Sequence, residues 1–254
     1  VDWDFIRAEM ARRAPGGSAM STARKEADEV QILSGVFEGK TTGTPLCAVI
    51  SNTDTRSGDY AQLKALPRPG HADYSGGVRY GGHNDYRGGG HFSGRLTAPL
   101  VFAGAVAKLI LRERGVAVAA AVSNVAGIPD PTPEQMEQAV LAAKADGDSV
   151  GGCIRCTVTG LPAGLGSPDF GCNVEGLFAQ YLYAVPAVKA VAFGAGFGFA
   201  ALRGSQANDP FYMEGETVRT RTNRSGGVNG GITNGMPVEF EVCIRPTPSI
   251  SLEQ

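Results

Sequence analysis

Apolar residues along this chain fall into short periodic runs separated by long polar, glycine-bearing stretches. Trp3, Ile6 and Met10 recur at the i, i+3, i+7 spacing of one helical face and predict a helix over 2–13, stopped by Pro15-Gly16-Gly17. Runs at 30–33 and 45–50 predict short strands on either side of a glycine turn at 35–43. From 51 to 93 no period exists, which predicts a polar loop system of the length usually given to function. Thr97 can cap a helix with Pro99 in its first turn, running through Leu111 to Arg114 and closing at Gly115, with most of it in the core. Beyond it, 117–122 reads as a buried strand, and Thr132-Pro-Glu-Gln135 is a capping box into a helix that Gly147 ends. The remaining pattern predicts strands at 153–158, 188–193, 199–202 and 238–244, and a helix at 173–184.

The chain also resembles itself at an offset of 192 residues. SGVFEGKTTGTPLCAVI (34–50) lies over GGVNGGITNGMPVEFEV (226–242) with six of seventeen positions identical: Gly35/Gly227, Val36/Val228, Gly39/Gly231, Thr41/Thr233, Gly43/Gly235 and Pro45/Pro237. These are small or turn-forming residues leading into a strand, so two related turn-and-strand units are expected, one in each half of a pseudo-symmetric α+β fold. Independently arisen glycine-rich hairpins are the plainer alternative.

Composition narrows the function classes. At 254 residues with 43% hydrophobic content the chain can bury a full core as one domain or two, and its 36 glycines are about twice the usual share. A net charge of −2 with scattered arginines gives no footprint for nucleic acid. The charged start Val1-Asp2-Trp3-Asp4 has no apolar run behind it, so a cytoplasmic location is expected. The longest apolar stretch, 98–111, is shorter than the ~20 residues of a membrane span and contains Lys108, so no membrane is expected as a partner. Five cysteines, an odd number in a chain this long, are expected to be reduced thiols. The absence of a Met at position 1 and the abrupt end at Gln254 give the expectation of a partial chain.

Several motifs compete for the chemistry. Ser34 to Thr41 nearly matches the phosphate loop GxxxxGK[ST], but Thr42-Gly43-Thr44-Pro45 leads into an apolar strand where that loop needs a helix, which argues against an ATPase. Gly194-Ala-Gly196-Phe-Gly198 lacks the third glycine of a dinucleotide fingerprint and reads as a hairpin. Cys153 and Cys156 have CxxC spacing, yet three residues apart in a strand they point to opposite faces, so structural thiols are expected and no metal site. His71, His83 and His91 all fall in one stretch with Arg68, Asp73, Asp85, Arg87 and Arg95. Arginine outnumbers acid there, which favours an anionic ligand held by guanidinium forks and an imidazole that titrates near neutrality. Tyr86-Arg-Gly-Gly-Gly90-His91 and Asn223-Arg-Ser-Gly-Gly-Val-Asn-Gly230-Gly231 could be tethers, or could let backbone N–H groups crowd a phosphate or flat ring.

Arg68-Pro-Gly-His-Ala-Asp73, Asp85-Tyr-Arg-Gly-Gly-Gly90, Leu202-Arg-Gly-Ser205, Asn223 through Gly235, and Arg245-Pro-Thr-Pro-Ser249 stand in the order and at the separations found in chorismate synthases, which the chain resembles nearly end to end. The resemblance implies an α+β fold with helices between antiparallel sheets and a homotetramer. It also implies trans-1,4 elimination of phosphate from 5-enolpyruvylshikimate 3-phosphate with the help of reduced FMN, and a flavin reduced either by the chain's own use of NADPH or by a separate reductase. It treats residues 1–254 as a single domain that lacks the family's N-terminal GESHG motif, with its catalytic histidine, and a C-terminal segment.

Carried over residue by residue, the resemblance makes His71 the catalytic histidine that tunes the flavin. His91, Phe92 and Ser93 are cofactor contacts, as are Gly230 and Arg245, Pro246, Thr247, Pro248 and Ser249. Arg13, Arg95 and Asn223 hold the substrate. Three departures stand out: Ala19 where the family has an arginine, His91 at the first flavin contact, and Leu96 in place of a glutamate. A catalytically silent relative that binds flavin or a phosphosugar is the alternative they raise.

Overall fold

Asp2 opens the first helix, α1 (Trp3–Arg13), by accepting a hydrogen bond from the Phe5 N–H at 3.0 Å, and Ile6 and Met10 are buried as their spacing predicts. The computed structural model describes residues 1–16, 20–21, 26–52 and 66–254, so the expectation placed on Ala19 lies outside the described residues. The chain divides into two compact units, Val1–Ile110 with Pro248–Gln254, and Leu111–Thr247.

In the first unit β1 (Val30–Ser34) is followed by the small hairpin of β2 (Val36–Phe37) and β3 (Lys40–Thr41), and then β4 (Cys47–Ile50) pairs antiparallel with β1. Gly39-Lys40-Thr41 therefore runs into a strand, which removes the phosphate-loop reading. Residues 66–93 are less irregular than their lack of period predicts: α2 (Asp73–Arg79) and a 3-10 turn, Arg87–Phe92, occupy them. The reason is composition. Gly76 and Gly77 break the helical signal, and Gly76 is needed because a Cβ there would stand 2.4 Å from the Phe92 ring.

The next helix, α3 (Thr97–Arg112), differs from expectation in two ways. Thr97 is not its cap. Ser93 caps a 3-10 turn, Gly94–Leu96, that runs straight into the helix, and Thr97 Oγ1 donates to the Gly94 carbonyl at 2.7 Å. Nor is the helix mostly core: only Ala98, Phe102 and Ala105 are buried, while Leu100 and Ile110 are exposed. With its leading turn, Gly94–Arg112 is long and apolar enough to cross a bilayer by length and composition. Its buried stripe is nonetheless part of the first unit's core, with Ile6 and Met10 of α1 and with Ile32, Leu46, Ala48 and Ile50 of the strands. Fully burying a side chain such as Ile6 or Phe102 contributes about 1.5–3 kcal/mol.

The second unit is built on β5 (Ala117–Val125), β6 (Ile128–Pro129), α4 (Pro133–Ala145), β7 (Gly152–Thr159), α5 (Val174–Tyr183), β8 (Val188–Phe193), α6 (Gly204–Ala207), the hairpins β9 (Phe211–Glu214) with β10 (Thr217–Thr220) and β11 (Val228–Asn229) with β12 (Ile232–Thr233), and β13 (Val238–Ile244). Five strands make one antiparallel sheet in the order β6-β5-β7-β13-β8. One face carries Val158, Val238 and Phe240 into a core with Val174, Phe178 and Phe193, where the Phe178 and Phe240 rings meet edge-on at 5.4 Å. Cys156 lies against this core and Cys153 points to the other face, as the strand period requires. The predicted capping box at Thr132 is formed, and the helix read at 173–184 runs Val174–Tyr183, with Asn173 as its cap. The stretches 194–198 and 199–202, read as a hairpin and a strand, instead contain a 3-10 helix, Gly196–Ala201. The apolar alternation there was too short to outweigh the glycines. Helices and antiparallel strands in both units make this an α+β protein.

The internal repeat is real in three dimensions. In β2–β3 Val36 pairs with Thr41 and Phe37 with Lys40; in β11–β12, at the same offset of 192, Val228 pairs with Thr233 and Asn229 with Ile232. Thr42 N–H donates to the Gly35 carbonyl at 3.1 Å, and Asn234 N–H to that of Gly227 at 2.9 Å. Both glycines have positive φ, +87° and +79°, and a Cβ on either would meet the corresponding proline carbonyl, Pro45 at 2.8 Å or Pro237 at 2.3 Å. The same main-chain atoms are in contact at each copy, as two related turn-and-strand units would have them.

Candidate active site

The turn Arg68-Pro-Gly-His71 closes with the His71 N–H donating to the Arg68 carbonyl at 3.2 Å, and delivers Asp73 to the first position of α2. Arg68 then grips Asp73 with a fork, Nε to Oδ2 at 2.8 Å and Nη2 to Oδ1 at 3.0 Å, while its own backbone N–H donates to Oδ2 at 3.1 Å. His71 Nδ1 lies 2.6 Å from Asp73 Oδ1. The Asp73 side chain is only 7% exposed and that of His71 13%. Burial works to raise the Asp73 carboxyl, but the hydrogen bonds from Arg68 and the neighbouring positive charge outweigh it and hold it down to about 2. The ionised carboxylate at Nδ1 fixes the ring, and Arg68 approaches it too, its Nη2 standing 3.1 Å from Nδ1 and 3.3 Å from Nε2.

That nitrogen faces the glycine run. A Cβ on Gly89 would stand 3.6 Å from both His71 Nε2 and Ser93 Cβ, so imidazole, Gly89 and Ser93 share one small neighbourhood. Gly90 can only be glycine: its φ is +50° and a Cβ would sit 1.9 Å from the Asp85 carbonyl. Arg68 reaches one residue further, donating from Nη1 to Ser249 Oγ at 3.1 Å. Phe92 packs on Gly76, and His91 meets Phe92 edge-on at 6.1 Å. His83 and His91 are both exposed, so the three histidines named from the sequence do not converge on equal terms. Arg87 forks onto Asp85 at 2.8 Å through both Nε and Nη2, which spends its charge at the surface.

Arg13 and Arg95 gather at the start of α3. Arg13 is ion-paired to buried Asp28 and donates from Nε to Thr97 Oγ1 at 3.3 Å; Arg95 donates to Asn52 Oδ1 at 2.7 Å and lies 3.9 Å from Glu26. Each guanidinium is thus held in place by a carboxylate of its own unit.

Asn223, Gly230 and Arg245 to Thr247 belong to the second unit, and Pro248 and Ser249 to the first. Asp209 pins the loop of Asn223, accepting from Thr222 Oγ1 at 2.6 Å, Arg224 N–H at 2.8 Å and Ser225 N–H at 2.9 Å. Burial acts to raise its carboxyl, yet these bonds leave it below the usual range. Asn223 Nδ2 donates to the Pro237 carbonyl at 2.9 Å, whereas its Oδ1 is buried and has no hydrogen-bond partner among the described residues. A buried acceptor without a donor is costly unless a ligand supplies one. Gly230 is at the tip of β11–β12 with φ +60° and open space where a side chain would be. Arg245 is half-buried directly beyond β13, and the Thr247 carbonyl accepts from Ser149 Oγ at 2.7 Å.

Sequence reasoning named His71 but assigned no role to Arg68, Asp73 or Asp209. The first two were visible as the ends of one six-residue motif. Asp209 carried no local signal, because its partners are thirteen to sixteen residues away.

The description Chorismate synthase belongs to a family model that matches residues 1–254. The chain is 42% identical over 276 residues to a chorismate synthase of Dehalococcoides mccartyi, covering all of this chain and 76% of the relative. It is 46% identical over 274 residues to one of Aeropyrum pernix, covering 98% and 72%. It is 48% identical over 251 residues to one of Chitinophaga pinensis, covering 99% and 72%. A solved structure described as "Crystal Structure of Chorismate Synthase" superposes with a TM-score of 0.77 at 29% identity, over 98% of this chain and 78% of that one.

Proposed function

This chain belongs to the chorismate synthase family, and on that premise we propose that it eliminates phosphate from 5-enolpyruvylshikimate 3-phosphate to give chorismate, as a carbon–oxygen lyase dependent on reduced FMN. The observation that carries the reading to this chain's own residues is His71, held at Nδ1 by a buried, ionised Asp73, with Nε2 turned toward Gly89 and Ser93 beside the Arg68 guanidinium.

Reduced FMN, when bound, lends electron density transiently to the elimination. Its fit is supported by Gly230, where open space stands at the Cβ position and bare backbone can approach a phosphate or flat ring. His91, Phe92, Ser93, Gly230 and the stretch Arg245, Pro246, Thr247, Pro248 and Ser249 would hold the cofactor. His71 would hold or move a proton at Nε2 as a positioned acid or base. Arg13 and Arg95 would neutralise the substrate's phosphate and carboxylates, where preorganised positive charge favours a departing phosphate. Asn223 would accept a hydrogen bond from a substrate hydroxyl through its partnerless Oδ1.

The same reading takes residues 1–254 as one functional domain of a cytoplasmic homotetramer. Large apolar side chains left exposed, Phe37, Tyr74, Phe170 and Phe197 among them, support self-association. The flavin is reduced by NADPH on the enzyme or by a separate reductase.

The test is an anaerobic assay of the full-length protein with 5-enolpyruvylshikimate 3-phosphate. Chorismate absorbance should rise with dithionite-reduced FMN and not with oxidised FMN. Tight flavin binding without turnover would replace this reading with that of a silent relative, and NADPH supporting turnover without a second protein would place the reductase activity on this chain.

A further inference from the structure

Cys153 of β7 and Cys243 of β13 are direct register partners. Which kind of partners they are follows from the neighbouring strand. Gly194 N–H donates to the Glu239 carbonyl at 3.0 Å, so Glu239, and with it Glu241 and Cys243, turn their main-chain groups toward β8. Val238, Phe240 and Val242 turn theirs toward β7, which makes Cys153–Cys243 a non-hydrogen-bonded pair. In such pairs the Cα atoms approach to about 4.5 Å and the side chains leave the sheet on the same face, close together. The two side chains are therefore neighbours across the strand pair.

The residues flanking the pair in the same row are Asn124 of β5 and Ala190 of β8, and both cysteines are half-buried rather than sealed. Of the charged groups on this face, Arg155 and Glu241 stand one register row away and face each other at 4.0 Å, and Glu239 stands one row further on.

From this geometry we infer that Cys153 and Cys243 form a reversible modification site, a thiol pair that closes to a cross-strand disulfide when met by a low-molecular-weight disulfide of the glutathione class. In the first step a Cys243 thiolate attacks one sulfur of the oxidant, forming a mixed disulfide and releasing one small thiol. Cys153 then loses its proton and attacks Cys243 Sγ, releasing the second small thiol. Two protein thiols are oxidised, one disulfide is reduced to two thiols, and the electrons balance. Burial foremost, with the Cys243 contact, pushes the Cys153 thiol up to about 11, so closure is slow at neutral pH and quickens as pH rises.

A Cα spacing of about 4.5 Å is near the short limit of about 4.4–6.8 Å for disulfides, and strained bridges are the easily reduced ones. The bond would therefore open again under a reducing pool. Two residues after Cys243 the chain leaves β13 as Arg245, so the bridge would tether the strand that presents the proposed cofactor stretch. The site itself does not depend on the flavin reading.

The experiment treats the native protein with oxidised glutathione at pH 8, traps remaining thiols with iodoacetamide and maps tryptic peptides by mass. Cleavage after Arg155 separates Cys153 from Cys156. The expected product is a linked pair of peptides holding Cys153 and Cys243, two hydrogens lighter than the separate thiols and lost on adding dithiothreitol. Exposed Cys47 and Cys172 should carry only glutathione or alkyl groups. Recovery of Cys153 and Cys243 as separately alkylated or glutathionylated peptides, while Cys47 and Cys172 react, would overturn the proposal. In a Cys243→Ala variant the linked pair should vanish and every other adduct remain.

Discussion

His71 Nδ1 and Asp73 Oδ1 are 2.6 Å apart, and the carboxylate in that contact is clamped on its far side by both prongs of Arg68. The imidazole is thus oriented by a group that is itself immobile. Replacing Asp73 by Asn keeps the shape but removes the charge that fixes the ring. We expect kcat to fall by about 100-fold, the low end of what a positioned acid or base contributes, with FMN affinity changed little. Stopped-flow chorismate formation and flavin fluorescence titration together separate the two effects.

The same carboxylate predicts acid behaviour. Its folded value, about 2, is below its ordinary 3.8. A depressed carboxylate contributes stability that is complete above its unfolded value and is lost as pH falls from about 3.8 toward 2. Melting temperature measured from pH 6 down to pH 2 should therefore drop less steeply for Asp73→Asn than for the parent chain. Asp85 is also held to about 2, but by a pair exposed on both sides, and Asp85→Asn should leave the melting temperature nearly unchanged.

Arg13 pairs with Asp28, whose side chain is 6% exposed. Arg13→Ala would leave that carboxylate buried with its main ionic partner gone, at a cost of about 1–3 kcal/mol. Urea unfolding should show the loss, and the Michaelis constant for substrate should rise as well. A variant as stable as the parent would remove the structural part of this assignment.

Gly35 and Gly227 hold equivalent places in the two repeated units, and at each a side chain would strike the main chain of the following strand. Alanine at either site should cost about 2–4 kcal/mol, combining left-handed strain with overpacking. Gly39, also at positive φ but with nothing within 4 Å of a Cβ, should lose only about 1 kcal/mol as alanine. Paired thermal melts of the three variants check the ranking.

The parts of the fold written in local chemistry were legible before any coordinates. The Thr132 box, the helix read at 173–184 and the 238–244 strand each depend on a few adjacent residues, and each is found within a residue of where the pattern puts it. What escaped had a distant cause. Helix α2 hides behind Gly76 and Gly77 because the ring of Phe92, sixteen positions on, needs the space. The burial of α3 was overstated because composition measures how apolar a helix is and not how many of its sides find partners. Within the site, His71 was legible from its motif, while the Arg68 fork and the Asp209 clamp are geometric facts that spacing alone does not fix. Asn223 is intermediate: its motif drew attention, while the burial of an Oδ1 without a hydrogen-bond partner among the described residues could only be seen in the fold.

The central claim is that His71 serves the elimination through Nε2. The most direct measurement is single-turnover chorismate formation by His71→Ala with dithionite-reduced FMN and saturating 5-enolpyruvylshikimate 3-phosphate. The account predicts a rate lower by about 10²–10⁴-fold with cofactor still bound. A rate equal to that of the parent protein would contradict it.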